Sequence, residues 1–585
     1  MASRTVADQI IAQLVAAGVH HIYGIVGDSL NPIVDAVRRT GGSAHGGIDW
    51  IHVRNEEAAA FAAGAEAQLT GEIAVCAGSC GPGNLHLING LFDAHRSGAP
   101  VLAIASHVPS VEIGSGYFQE THPDRLFVEC SNYRELISTA AQSPRVINSA
   151  LRHAVGLRGV AVVTIPGDIP LLDAVGEEPA FVRPGRPSVV PAGEDIRSLA
   201  EAIESAKTVA IFAGAGVEGA HDQVVAFADH LAAPIAHSLR GKEWIQYDNP
   251  FDVGMTGLLG YGAAHAGIHD ADLVILLGTD FPYEQFLPDG RKVVIAQIDS
   301  DAAHLGRRAS VSHPVHGDVL PSIAALTAQT TRKGDRRFLE KTLKRHEKLL
   351  GGAVGKYTDA ATTTPIHPEF AVSTLDDLLA DDAIITADTG MGNVWQARYI
   401  TPNGRRRIIG SYLHGSMANA VPQAIGAQIA YPDRQVVTIS GDGGLSMLLG
   451  ELVTIAAYRL PVKLMVFNNS TLGLVKLEMF VDGYPDFGVD VPAVDYAAVA
   501  NALGIFGRRV EDPQDLAGAM RSALEHDGPA LVDIVTDPLA LSLPSAITGD
   551  QVKGFSLALS KVVLNGGVGE AVQLLRSNIR HVPGL

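Results

Sequence analysis

The sequence predicts an α/β protein built from three doubly wound, parallel-sheet domains, with a short helical tail. Nine short apolar runs, "GEIAVCAG", "APVLAIAS", "GVAVVTIPGD", "TVAIFAGAG", "DLVILLGT", "KVVIAQID", "QVVTISGDG", "PVKLMVFNN" and "PALVDIVTD", alternate with Ala-rich stretches of helical period. Strands that are apolar on both faces belong in parallel sheets covered by helices on either side. The length of 585 residues exceeds what one core supports, so several domains are expected.

Composition narrows the function. Hydrophobic residues make up 47% and charged residues 18%, the balance of a well-packed globular chain. The formal net charge of -19, with no long Lys/Arg block to offset it, argues against a nucleic-acid partner and leaves small-molecule chemistry. Cys76, Cys80 and Cys130 are too few and too irregularly spaced for a disulfide framework or zinc site; Cys76 and Cys80 read as small fillers in a strand and its turn. The start "MASRTVADQIIAQLVAAGV" has the pattern of an amphipathic helix, not of a signal peptide, and no segment has the length of a membrane span. A cytoplasmic location is the expectation.

Polar, Pro- and Gly-containing stretches at residues 183–195, and the charged, helix-like "RKGDRRFLEKTLKRHEKLLGG" leading into "DAATTTPIHPE", read as linkers. They divide the chain into residues 1–180, 190–345 and 360–540, followed by a tail at 546–585. The first and third pieces resemble each other. Residues 73–106 and 436–469 each run strand, Gly turn, helix and strand, with Pro100 or Pro461 just before the second strand. A duplicated domain separated by an inserted one is expected.

The most informative constellation lies in the third piece. "QVVTIS" ends in Gly441, Asp442, Gly443 and Gly444, and "PVKLMVF" ends in Asn468 and Asn469, 24 positions after Gly444. Asp442 and Asn469 then follow the carboxyl ends of two parallel strands expected to be neighbours, about 4.8 Å apart. Hard oxygen ligands at an open sheet edge suit Mg²⁺, which keeps positions for water and phosphate oxygens. The glycines allow close backbone approach, and a helix expected to begin near Leu445 offers N–H groups to an anion. A diphosphate held through magnesium fits this arrangement.

On these residues the chain resembles the thiamin-diphosphate enzymes. "RNEEAAAFAAGAEAQLTGEIAVCAGSCGPGNLHLINGLFDAH", "SGYFQETHP", "LRGKEWIQYDNPFDVGMTGLLGYG", "LGTDFPY" and "HGSMANAVPQAIGAQ" extend the resemblance to the pyruvate oxidase family, nearest its quinone-dependent pyruvate dehydrogenases. The resemblance implies a pyrimidine-binding domain, an FAD-binding domain and a diphosphate-binding domain, in that order. It also implies an active site formed between chains, hence a homodimer at least and commonly a homotetramer. The implied reaction is oxidative decarboxylation of pyruvate to acetate and carbon dioxide, with electrons passing through FAD to a quinone.

Site residues follow from the same resemblance. Glu56 matches the glutamate that hydrogen-bonds the cofactor's aminopyrimidine, and its alanine-rich surround would favour the uncharged acid that can donate that bond. Asn55 departs from the family's histidine at that place, and Glu57 reads as a surface or capping residue. Asp442, Asn469 and Thr471 are the implied Mg²⁺ ligands. Gly415, Ser416, Met417, Gly441, Gly443, Gly444, Leu472 and Gly473 are the implied thiamin diphosphate contacts, with Met417 beneath the bent cofactor. Phe118 and Gln119 are the substrate-loop candidates, packing against the pyruvate methyl and bonding its carboxylate; His86 and His122 are candidates for proton transfer. In the middle piece Gly214, Gly216 and Gly219 form a GxGxxG that is weak by itself. The resemblance points for FAD to Thr256, Gly257, Leu258, Leu259, Thr279, Asp280, Phe281, Pro282 and Tyr283, with Asp299 suited to ribose hydroxyls.

The tail, residues 551–580, resembles the segment through which quinone-linked members meet the membrane. Phe555, Leu559 and Val562 keep helical spacing with cationic Lys553, Lys561, Arg576 and Arg580 at the edges. It implies a peripheral place on the inner face of the cell membrane; a helix packed back on its own domain is the alternative. Leu474 stands where some quinone-linked relatives carry phenylalanine. Three other readings stay open: an acetolactate-synthase-like carboligase, a phosphate- and oxygen-dependent pyruvate oxidase, and a non-catalytic lipid-binding or scaffold protein.

Overall fold

The computed structural model describes residues 4–185, 188–355 and 357–541. The tail at 546–585, with every expectation placed on it, lies outside the described residues. Among those described, no helix is long and apolar enough to cross a membrane.

Three sheets carry the chain. The first holds β1 (His21–Gly24), β2 (Asp49–His52), β3 (Ala74–Gly78), β4 (Val101–His107), β5 (Tyr133–Leu136) and β6 (Val160–Pro166), in the order β2-β1-β3-β4-β6-β5, all parallel. The second holds β7 (Val209–Ala213), β8 (Ile235–His237), β9 (Asp252–Met255), β10 (Tyr261–Gly262), β11 (Leu273–Leu277), β12 (Val294–Asp299) and β13 (His313–His316). Its order is β10-β9-β8-β7-β11-β12-β13, with only the β9/β10 edge pair antiparallel. The third holds β14 (Ile384–Ala387), β15 (Arg407–Gly410), β16 (Val436–Gly441), β17 (Lys463–Asn468), β18 (Phe506–Val510) and β19 (Ala530–Val535), in the order β15-β14-β16-β17-β19-β18, again all parallel. Strand for strand, the third order repeats the first, so the resemblance between the two outer pieces is topological as well as sequential.

All nine apolar runs form strands, because each is buried on both faces between helices. The first helix, Val6–Ala16, is fixed by a capping box in which Thr5 and Asp8 satisfy each other's backbone N–H groups. The charged, helix-like segment forms the helix Arg337–Leu349, whose Leu339 and Thr342 are buried against the middle domain while its Lys and Arg residues face water. Its period is amphipathic, and a buried stripe outweighs the charge of the remaining face.

The outer domains meet through the helices Glu56–Thr70 and Ala420–Ala430. A Cβ at Gly426 would lie 2.0 Å from the Ala62 carbonyl oxygen, so glycine is what permits the crossing. Gly90, on Pro82–Ser97, plays the same part on the other side of the first helix, where a Cβ would come 2.6 Å from that of Ala60. Alanines and glycines thus let three helices stack at close range within one shared core.

Candidate active site

Each sheet has an interior place where its strand order reverses, and in open α/β sheets such crevices receive ligands. In the third sheet the reversal lies between β14 and β16. Asp388 follows β14, and the Gly441 to Gly444 turn follows β16. The helix here spans Asp442–Met447, starting three residues before the expected Leu445, and a second helix, Glu451–Tyr458, continues the crossover.

Asp442 is 2% exposed and its Oδ2 has no hydrogen-bond partner. Burial pushes this carboxyl up to about 6, against the lowering effect of N–H donors at Gly443 and Ser470. A buried carboxylate oxygen without a partner is costly unless a cation faces it. The register aligns Gly441 with Phe467, which brings Asp442 beside the end of β17. Ser470 takes the left-handed conformation, φ 54, that turns its N–H toward Asp442. Asn469 Oδ1 accepts the Thr471 N–H at 3.1 Å, and Thr471 Oγ1 donates to the Val489 carbonyl at 3.2 Å, leaving the Thr471 main-chain oxygen bonded by Gly473 N–H at 2.9 Å. Asn468 is structural instead: its amide donates to Asp533 and to the Val494 carbonyl, both at 2.9 Å.

Met417 and Leu472 converge on this turn. A Cβ at Gly443 would lie 3.5 Å from Met417 Cε and 2.6 Å from Leu472 Cδ2, while Gly441 and Gly415 face open space. Gly444 lies against Asp388 Oδ2, which is also without a partner, and burial raises Asp388 to about 6 as well. Gly473 adjoins Asn469. The residues present fit a diphosphate and a divalent cation: two unpartnered buried carboxylate oxygens, an amide, and glycines that leave room.

Glu56 opens the helix Glu56–Thr70 and is 5% exposed. Its Oε2 pairs with His86 Nδ1 at 3.0 Å, and Gly83 leaves Oε1 uncovered, since a Cβ there would stand 3.0 Å from it. Asn55 caps this helix, its side chain accepting the Glu57 N–H at 2.9 Å, which gives the unexpected asparagine a local role. Gln119, left-handed at φ 63, lies over Gly81 and accepts from Cys80 Sγ at 3.5 Å, so the structure brings it to the turn that precedes Gly83. Phe118 is 79% exposed. His122 starts the short helix Pro123–Leu126 and is not joined to Glu56.

Glu57 departs from the expected surface role. Its Oε1 accepts from Asn89 Nδ2 at 2.8 Å; Asn89 also donates to Ser416 Oγ at 2.9 Å and pairs with His414 at 2.7 Å. Two side chains long enough to meet across the helix junction tie the loop of Gly415, Ser416 and Met417 to the first domain.

In the middle sheet the order reverses between β7 and β11. Gly214 and Gly216 there press against Gly278 and Thr279, where added Cβ atoms would stand 2.4 and 2.6 Å from backbone. Gly257, at φ +108, packs on the Phe281 ring, itself edge-on to Phe212, and Thr256 Oγ1 is buried without a partner. Asp280 is held by Arg307 and Arg308, and Leu258 and Tyr283 are partly exposed. Pro282 lies in the same loop. Leu259 turns away to the third domain, where Arg398 bonds its carbonyl at 3.2 Å. Asp299 ends β12, accepts the Asp301 N–H at 2.9 Å, and is raised by burial. The buried Thr256 hydroxyl and the Asp299 carboxylate are compatible with a polar ligand such as a dinucleotide.

Residues 4–126 match the thiamine pyrophosphate enzyme N-terminal TPP binding domain, 196–326 its central domain, and 388–534 its C-terminal TPP binding domain. The chain belongs to the thiamine pyrophosphate enzyme family. It is 36% identical over 565 residues, 96% of each chain, to a Bacillus subtilis protein named "Putative thiamine pyrophosphate-containing protein YdaP". It is 30% identical to the pyruvate oxidase of Lactiplantibacillus plantarum, covering 90% of this chain and 87% of the relative. It is equally 30% identical to an acetolactate synthase of Arthrospira platensis, covering 90% and 93%.

Three residues of this thiamine pyrophosphate enzyme's site escaped the sequence reading. Asp388 follows "IITA", a four-residue strand too short to register as one of the apolar runs. Its parallel with Asp442, an acid just past a strand and followed two residues on by Gly390, was the available signal. Glu451 and Tyr496 carried none. Tyr496 donates its hydroxyl to the Asp442 carbonyl at 3.1 Å, and Glu451 reaches back to the first domain.

Proposed function

We propose that this protein oxidatively decarboxylates pyruvate, converting pyruvate, water and a quinone to acetate, carbon dioxide and quinol. The observation that carries the reading is the buried Asp442 carboxylate with an unpartnered oxygen, gathered with Gly443, Met417, Leu472 and Asn469 at the reversal of the third sheet. In this reading Asp442, Asn469 and Thr471 would hold Mg²⁺, which would supply positive charge for a diphosphate. When bound, thiamin diphosphate supplies an electron sink for the carboxyl group's departure.

The chain's own groups then have definite tasks. Glu56 hydrogen-bonds the aminopyrimidine, with His86 holding one of its oxygens and the apolar helix core excluding water. Met417 would support the cofactor from the diphosphate side, and the Gln119 side-chain amide would donate to the substrate carboxylate. Thr256, Thr279 and Asp299 line the crevice offered to FAD. As the family resemblance implies, the working site would pair Glu56 of one copy with the diphosphate turn of a second, in a homodimer or a tetramer. The tail at 546–585 is the proposed contact with a lipid surface, where a quinone dissolves.

A second reading, carboligation of two keto acids, has its support in the equal identity to acetolactate synthase. Product analysis separates them. Incubation with pyruvate and a soluble quinone should yield acetate and carbon dioxide in equal amounts; acetolactate as the main product, or acetyl phosphate formed only with phosphate and oxygen, would overturn the proposal.

A further inference from the structure

The helix Glu451–Tyr458 belongs to the third domain, directly after the helix that carries Asp442, yet it lies along the first domain's edge strand β2. An edge strand and the residues before a helix both carry backbone N–H groups that no neighbouring strand satisfies. Here this one helix satisfies them. Glu451 Oε1 accepts the N–H groups of Arg54 at 2.9 Å and Asn55 at 3.0 Å, and Thr454 Oγ1 donates to Oε2 at 2.7 Å. At the far end the Tyr458 hydroxyl accepts the His52 N–H at 2.8 Å and donates to the Trp50 carbonyl at 3.3 Å. Gly450 packs against the Arg54 side chain, where a Cβ would be 3.7 Å away.

Glu451 is 1% exposed, so its bonds are made out of water's reach and with full geometric effect. The two peptides it holds are the last before Glu56. We infer that Glu451 is a positioning residue that fixes the Arg54 and Asn55 peptides, and through them the Glu56 carboxylate, from the helix that follows the diphosphate-binding turn. The inference rests on the thiamin reading above. Glu451 thereby ties the segment that follows the Asp442 turn to the residues before Glu56 of the same chain, so ordering of the turn by cation and diphosphate would be felt at the Arg54 and Asn55 peptides.

The test uses the full chain loaded with Mg²⁺ and thiamin diphosphate, and the variants Glu451→Ala and Glu451→Gln. Glu451→Ala should bind the loaded pair within about threefold of wild type, because no proposed ligand is altered. Its kcat should fall on the order of 10- to 100-fold, the effect of a displaced catalytic group, with KM for pyruvate little changed. Amide hydrogen exchange gives the second readout. In wild type, adding Mg²⁺ and thiamin diphosphate should slow exchange at Arg54 and Asn55; in Glu451→Ala these amides should exchange fast and ignore the addition. Glu451→Gln keeps a carbonyl oxygen for both N–H groups and should recover most of the turnover and protection. Wild-type turnover and protection in Glu451→Ala, or equal loss in both variants, would overturn the inference. Failure of wild type to bind thiamin diphosphate would instead bring down the functional reading on which it rests.

Discussion

Glu56 and Asp442 are both carboxylates kept from water, but for different ends. Glu56 is buried, with His86 on one carboxylate oxygen and Gly83 beside the other, an environment that suits hydrogen bonding to a neutral heterocycle. Glu56→Gln should lower turnover on the order of 10² to 10⁴ while leaving thiamin diphosphate bound, as steady-state rates and cofactor content would show; near-normal rates would remove its assigned role. Asp442, raised to about 6 by burial, must be ionised to hold a cation. Mg²⁺ affinity should therefore fall as pH drops through about 6, by up to tenfold per unit for each carboxyl engaged, and Asp442→Asn should lose both affinity and pH dependence. Without the cation the sign reverses for stability. The raised value favours the folded state below the ordinary 3.8, and that contribution is lost as pH rises through about 6. Calorimetric titration at pH 5 and pH 7 decides the first point; equal affinities at the two would contradict it.

At the scale of elements, long buried strands were legible because their apolarity is two-sided, and the turns after them were legible because glycine and acid sit together. The strands missed, such as "HIYG", "DWIH" and "FGRRV", are short or at sheet edges, where one face or one edge meets polar groups and the pattern dissolves. The same limit hid Asp388 and Glu451. Each acts through a partner distant in sequence, and nothing in the local spacing announces the partner. The helical character of Arg337–Leu349 was legible through its charges, whereas the narrow buried stripe that packs it on the middle domain was not. Close helix crossing, by contrast, is written in single glycines. Gly426→Ala should force the helices Glu56–Thr70 and Ala420–Ala430 apart, because the added Cβ meets backbone that cannot rotate away. Overpacking of this kind costs about 1–3 kcal/mol, more than the alanine's gain in helix propensity, and denaturant unfolding would measure it. A more stable variant would mean that the crossing is looser than described.

At the scale of the molecule, a repeated sheet topology in the outer domains places two reversal crevices on one chain, and the central domain supplies a third. The account assigns them to aminopyrimidine, diphosphate and FAD, and its central claim is that electrons from pyruvate reach bound flavin. Anaerobic stopped-flow mixing of the holoenzyme with pyruvate, followed at the flavin absorbance, tests this most directly. The account predicts that the flavin bleaches as carbon dioxide is released, and that a quinone analogue reoxidises it on the order of tenfold faster than oxygen does. Flavin that stays oxidised while acetolactate accumulates would contradict it.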